Sequence, residues 1–166
     1  NPKLKRLLRP RGIRTANGTE SIKFANGGRY ILLAPSHGVR GHHGDLVIQD
    51  EVREQRDDRL QRAMGPTTIA SRNPQTIYLS NAGDQDSVIL NELRRRRDEP
   101  SFAYLEWSAA PERGLDDLDG WAEANPTLGR GLPLAMLQDS RRKQSPAGFE
   151  TEHLCRWVTS MAPRLI

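Results

Sequence analysis

The run Leu46-Val47-Ile48-Gln49-Asp50-Glu51 constrains this chain most. A short apolar run bounded by polar residues reads as a buried strand of a parallel sheet. Such a strand delivers its last residues to the carboxyl edge of the sheet, where open α/β folds bind ligands. Two carboxylates at that edge have a natural division of labour. Asp50 can hold Mg²⁺ directly or through water, because Mg²⁺ takes only one or two protein carboxylates when phosphates and waters fill the rest. Glu51 can orient and deprotonate an attacking water. A plainer reading also fits: a strand end followed by a helix, whose first turn favours acids.

The surrounding pattern alternates strands with helices, which argues for a layered α/β sheet. Residues 3–8 suit the tail of a helix stopped by Pro10 and Gly12. Residues 21–25 and 29–34 flank Asn26-Gly27-Gly28, a strong hairpin signal. Residues 54–64 and 86–97 read as helices. Residues 75–80 read as a second buried strand and 101–107 as a third. The second ends in Ser80-Asn81-Ala82-Gly83, small polar residues of the kind that sense a γ-phosphate in motor ATPases, or that make an ordinary turn. Beyond Ser108, the small and Pro/Gly-bearing segment 109–114 reads as a linker. Helices are expected over 118–124, 134–143 and 148–158.

Composition limits the alternatives. Hydrophobic residues are 36% and aromatics 5% of 166, both low for a self-sufficient domain, and the mean hydropathy of -0.71 agrees. No apolar run is long enough to span a membrane. The N-terminus carries neither an initiator Met nor a signal-type apolar region, so the chain is expected to begin inside a longer reading frame. A single cysteine, Cys155, excludes an intramolecular disulfide and suits a reducing cytoplasm. Lys and Arg total 25 against 21 acids, and only four of the 25 are Lys. That bias suits a polyanionic partner, or a GC-rich genome.

The acidic run has the form of a Walker B motif, and the order of pieces resembles the large subunit of tailed-phage terminases. The resemblance rests on Gly38-Val39-Arg40-Gly41, on residues 45–51 and on residues 79–83. Most diagnostic is Trp121-Ala122-Glu123-Ala124-Asn125-Pro126-Thr127-Leu128-Gly129, which looks like a signature found after the ATPase core in one large terminase branch. Residues 149–157 (FETEHLCRW) are similar to the aromatic-bounded helix that follows there. The resemblance implies part of a P-loop NTPase sheet of the ASCE type with helices, over residues 1–108. A small helical linker subdomain over 109–166 would follow, leading toward a nuclease domain.

It also implies roles. Asp50 would bind Mg²⁺ and Glu51 would be the catalytic base. Ser80 and Asn81 would lie in the coupling motif beside ATP, with Asn81 standing where Thr is usual. Arg40 would be an arginine finger reaching a neighbouring subunit's ATP, or else a plain loop cation. The implied partners are double-stranded DNA, a terminase small subunit, a portal protein and further copies in a homo-oligomeric ring, in the host cytoplasm and without a membrane.

No Gly-x-x-x-x-Gly-Lys-[Ser/Thr] phosphate loop occurs in the chain: Lys3, Lys5, Lys23 and Lys143 neither follow a Gly-rich loop nor precede Ser or Thr. In the terminase family that loop lies upstream and the nuclease downstream. The chain alone is therefore expected to be inactive, and a prophage remnant or a DNA- or partner-binding fragment is the alternative. A helicase of another ATPase family fits less well, because its acidic motif usually continues with Ala-Asp or His, not Val52-Arg53. His37, His42 and His43 read as a polar loop or, less readily, as metal ligands. Arg94 to Arg97 is a solvated helix end or a DNA contact.

Overall fold

The computed structural model describes residues 2–34 and 41–158. The chain forms two compact units: residues 1–45 with 59–75, and residues 46–58 with 76–166.

The first unit opens with helix α1 (Pro2–Leu7) and continues into strands β1 (Leu8–Arg14), β2 (Ser21–Phe24) and β3 (Arg29–Ile31). They pair antiparallel in the order β1-β2-β3. The β2–β3 turn follows the Asn-Gly-Gly signal: Gly27 takes φ 90, and the Gly28 amide donates to Asn26 Oδ1 at 3.0 Å. The helix stops at Leu7, ahead of Pro10 and Gly12, and regular structure continues through both. They lie inside β1, where the register shifts between Leu8 and Ile13. A side chain on Gly12 would meet the Lys23 carbonyl at 2.5 Å, so only glycine lets the bulged strand close on β2. Helix α2 (Arg59–Met64) belongs to this unit and is shorter than the expected 54–64.

The second unit holds β4 (Leu46–Gln49) and, from Thr76 on, β5 (Gln75–Tyr78), paired as a two-stranded sheet. Its ladder is parallel. Leu79 donates to the Gln49 carbonyl at 2.8 Å and accepts from the Val52 amide at 3.2 Å. Both strands differ from the expected burial. Leu46, Ile48, Ile77 and Leu79 are 46%, 49%, 43% and 48% exposed, because two strands alone cannot cover both faces of a sheet. The expected third strand over 101–107 takes no strand pairing. Phe102 packs instead against the cluster of Val52, Ile89, Leu90 and Leu93, which seats helix α3 (Val88–Arg95).

The remainder of this unit is helical. Helices α4 (Leu118–Ala124) and α5 (Leu134–Lys143) match their expected bounds, and α6 (Pro146–Glu152) ends short of the expected 158. Asp117 and Ser145 cap α4 and α6 with their side chains. Trp121, Ala124, Leu137, Phe149 and Leu154 form one core, and Ala109 is part of it. Residues 109–114 are therefore no loose linker. Arg156 donates to the carbonyls of Ala109, Ala110 and Arg113, and Arg113 pairs with Glu123 at 2.7 Å.

Two predictions follow from this packing. Phe149 is 0% exposed, so Phe149→Ala should cost about 3–5 kcal/mol in a urea titration, whereas Met136→Ala, at a 59% exposed site, should move it by less than about 0.5. A loss under about 1 kcal/mol at Phe149 would contradict this packing. The second concerns pH. The Arg113 guanidinium, then the Ala110 amide, hold the Glu123 carboxyl below its ordinary value of 4.5. Its stabilising effect is thus present above pH 4.5 and lost as pH falls through the lowered value. Glu123→Gln should flatten the acid limb of a stability–pH curve; an unchanged limb would exclude this pair as its source.

Candidate active site

The end of β4 is built around a sharp change of direction. Gln49 is buried and accepts from Gln55 Nε2 at 2.9 Å. Asp50 is exposed, and its Oδ1 accepts from the Glu51 amide at 3.0 Å. Glu51 then takes φ 52 and ψ 46, a left-handed conformation that costs a non-glycine residue about 1–2 kcal/mol. That kink turns the chain into the 3-10 turn Val52–Glu54 and drives Val52, 0% exposed, into the core against α3. Burial of Val52 offsets the strain. The result is two carboxylates held at the strand's carboxyl end with their backbone fixed from behind. Sparse backbone conformations of this kind gather at functional sites.

Arg53 organises the acids. Its Nε lies 3.2 Å from Glu51 and 3.4 Å from Glu54, and its NH1 lies 2.7 Å from Glu152 of α6. The side chain is only 15% exposed. Burial alone would lower the guanidinium; Glu152 first, then Glu51 and Glu54, outweigh it and raise it above its ordinary value. The Arg53 amide also donates to Ser80 Oγ at 3.0 Å, which ties the end of β4 to the end of β5. Asn81 Nδ2 donates to the other oxygen of Glu152 at 3.0 Å.

Of the residues singled out in the sequence, Asp50, Glu51, Ser80 and Asn81 therefore gather in one place. Arg40 lies outside the described residues. Arg53 and Glu152 were missed. Arg53 was read only as the continuation of the acidic run, one residue before the helix expected over 54–64. Glu152 is 71 residues from Asn81, and nothing local in the sequence links them. A neighbouring buttress was missed too. Asp84, buried, takes Arg56 NH1 at 3.0 Å and the Ser87 hydroxyl at 3.3 Å. Gly83 is required beside it, since an added Cβ would meet Ser87 Oγ at 2.3 Å.

Asp50 suits Mg²⁺. One of its oxygens is engaged by a backbone amide, the side chain is exposed, and no cation among the described residues pairs with it. The cavity behind Arg53, lined by Arg53, Glu54, Arg56, Asp84, Thr151 and Glu152, is about 210 Å³ and smaller than the ~300–1,000 Å³ that ligand pockets need. Among the described residues no group of three His, Cys, Asp or Glu converges on a metal position, and no helix is long and apolar enough to cross a membrane.

A mixed α/β fold joined to a small helical core has a counterpart among solved structures. The chain is similar to the large terminase of bacteriophage HK97, with a TM-score of 0.73 and 22% identity over 95% of this chain. It spans 34% of that structure's length, about a third. The likeness establishes the fold as that of a segment of a large terminase and matches the resemblance carried by the sequence motifs. No protein-family profile and no curated protein sequence matches the chain.

The Arg53–Glu152 pair should couple measurably. In a double-mutant cycle with Arg53→Met and Glu152→Met, unfolding should report a coupling of at least about 1 kcal/mol. Glu152→Ala alone should cost about 1–3 kcal/mol, because it strips partners from a mostly buried guanidinium and from Asn81. Additivity within about 0.3 kcal/mol would mean that the two groups do not act together.

Proposed function

We propose that this chain is a segment of a terminase large subunit: the Walker B half of its ATPase core over residues 1–108 and the following linker subdomain over 109–166. The observation that carries the reading is the placement of Asp50 and Glu51 at the carboxyl end of a parallel strand, in a fold shared with the HK97 large terminase. In the complete motor, ATP hydrolysis would drive double-stranded DNA into a procapsid. The complete protein would be an ASCE-type P-loop NTPase that works as a ring with a small subunit and a portal protein in the host cytoplasm.

Each residue then has a task. Asp50 would hold Mg²⁺ through one carboxylate oxygen, and the metal would supply positive charge against that developing on the phosphates. Glu51 accepts the proton of the attacking water. Its pairing with Arg53 aims the carboxylate, and it must keep one oxygen off the guanidinium to serve as a base. Ser80 can still donate its hydroxyl hydrogen while its oxygen accepts from Arg53. Asn81, placed where Thr is usual, is bonded to α6 through Glu152, which supports a mechanical link from the strand end to the linker. Arg40 would act in a neighbouring subunit's site.

The alternative is an inactive remnant or a fragment that binds DNA or a partner. Hydrolysis separates the two. The 166-residue chain alone should turn over ATP negligibly. The complete polypeptide that carries it should show Mg²⁺-dependent turnover, and Glu51→Gln should lower kcat by about 10²–10⁴-fold. Turnover unaffected by Glu51→Gln would remove the proposed base. Absence of turnover in the complete polypeptide would favour the remnant.

A further inference from the structure

The modest net charge of +4 hides a strong segregation. The unit of residues 1–45 and 59–75 holds twelve Lys and Arg against two acids, a net +10. The other unit holds thirteen against nineteen, a net -6. Such asymmetry between parts of one chain points to a polyanionic partner.

The basic unit arranges its charges on a surface. In β1–β3, Arg14 pairs with Ser21, Ser21 with Ile31, and Lys23 with Arg29. Residues facing each other across strands share a face, and alternate residues along a strand do too. Arg14, Lys23 and Arg29 therefore stand on one face of the sheet, while Ile13, Ile22 and Tyr30 take the other. All three cations are exposed, and no acid among the described residues pairs with any of them. Lys23 directly opposite Arg29 is a like-charge pair, which destabilises a sheet. Arg9 and Arg11 flank Pro10 in the bulge of β1, both exposed, with Arg11 in a left-handed conformation at φ 56. The unit keeps this repulsion although it has little core to oppose it: Leu4, Leu7, Ile13 and Tyr30 are 59%, 56%, 57% and 49% exposed.

The four-arginine run reads differently in three dimensions. Arg94 lies over the Trp157 ring and within 3.8 Å of Glu106, Arg96 pairs with Glu99, and Arg97 lies near Asp98. Most of that run is spent on its own unit.

We infer that the Arg14–Lys23–Arg29 face of the β1–β3 sheet, with Arg9 and Arg11 of the adjoining bulge, is a binding surface for the phosphate backbone of nucleic acid. The inference deepens the packaging reading by saying where DNA is held, and it rests on that reading only for the choice of DNA as the polyanion. A closely spaced row of unpaired cations suits regularly spaced phosphates, each contact releasing a condensed counterion. Tyr30 and Ile13 lie on the opposite face, so no aromatic platform for stacked bases accompanies the cations, and binding is expected to be independent of sequence.

The test uses the full 166-residue chain and a labelled 30-base-pair duplex, with affinity followed by anisotropy as salt is raised. Binding should weaken linearly in log–log form. The variant carrying Arg14→Gln, Lys23→Gln and Arg29→Gln should shallow that slope by about 0.9 for each charge removed. Arg95→Gln with Arg97→Gln should leave it unchanged. Lys23→Glu separates binding from folding: it creates an opposite-charge pair with Arg29, so it should raise thermal stability while weakening DNA binding. Absence of binding at 50 mM salt, an unchanged slope in the triple variant, or a loss confined to the Arg95/Arg97 variant would overturn the inference. The DNA assay contains no nucleotide and the turnover assay no DNA, so failure of the ATPase reading and failure of this surface give different results.

Discussion

The second unit depends on one buried guanidinium. Arg53 follows a strained Glu51, and its side chain is held among three carboxylates drawn from two distant parts of the chain. Glu51 and Glu54 come from the turn after β4, whereas Glu152 comes from the end of α6. The Arg53 amide meanwhile pins Ser80. One residue thus fixes the direction of a candidate catalytic carboxylate, the spacing between the ends of two strands, and the attachment of a helix that lies far away in sequence. Removing such a charge from water costs several kcal/mol per ion unless partners surround it. The arrangement thereby joins the end of β4 to the end of α6.

The helical core supplies the rigid end of that connection. Trp121 and Phe149 lie with ring centroids 5.4 Å apart, and the indole of Trp121 donates to the Leu115 carbonyl at 2.8 Å. Asn125 closes α4 by donating to the carbonyls of Trp121 and His153. Most of the Trp-Ala-Glu-Ala-Asn-Pro run is thereby accounted for by packing and capping: Trp121 and Ala124 fill the core, Glu123 holds Arg113, and Asn125 joins α4 to the end of α6. Cys155, half-buried and with its thiol pushed up by burial, belongs to the same framework and is a poor nucleophile.

What could be read from the sequence follows from the range of the forces involved. Helices α4 and α5 and the β2–β3 hairpin were legible because caps, apolar spacing and Asn-Gly turns act over a few residues. The acids at the end of β4 were legible because a strand fixes where its last residues emerge. The exposed faces of β4 and β5 were not, since apolar periodicity records a need for cover and not whether cover is present. Residues 101–107 looked like a strand because Phe102, Tyr104 and Leu105 are good strand formers, yet Phe102 gains more by packing under α3. Arg53 and Glu152 were invisible because their meeting is a tertiary event.

Charge was the least legible property, although every charge is written in the sequence. Read along the chain, the Arg94–Arg97 run stands out and the scattered cations of residues 3–29 do not. Folding reverses that ranking. A helix end surrounded by acids neutralises the run, whereas antiparallel pairing brings Arg14, Lys23 and Arg29 onto one face from three separate strands. The other unit carries the excess acid together with the candidate Mg²⁺ ligand. A cation site needs local negative charge and a phosphate-backbone site needs the reverse, so the two cannot share one surface without weakening each other. The two proposed sites lie in separate units, an arrangement that would keep either from weakening the other.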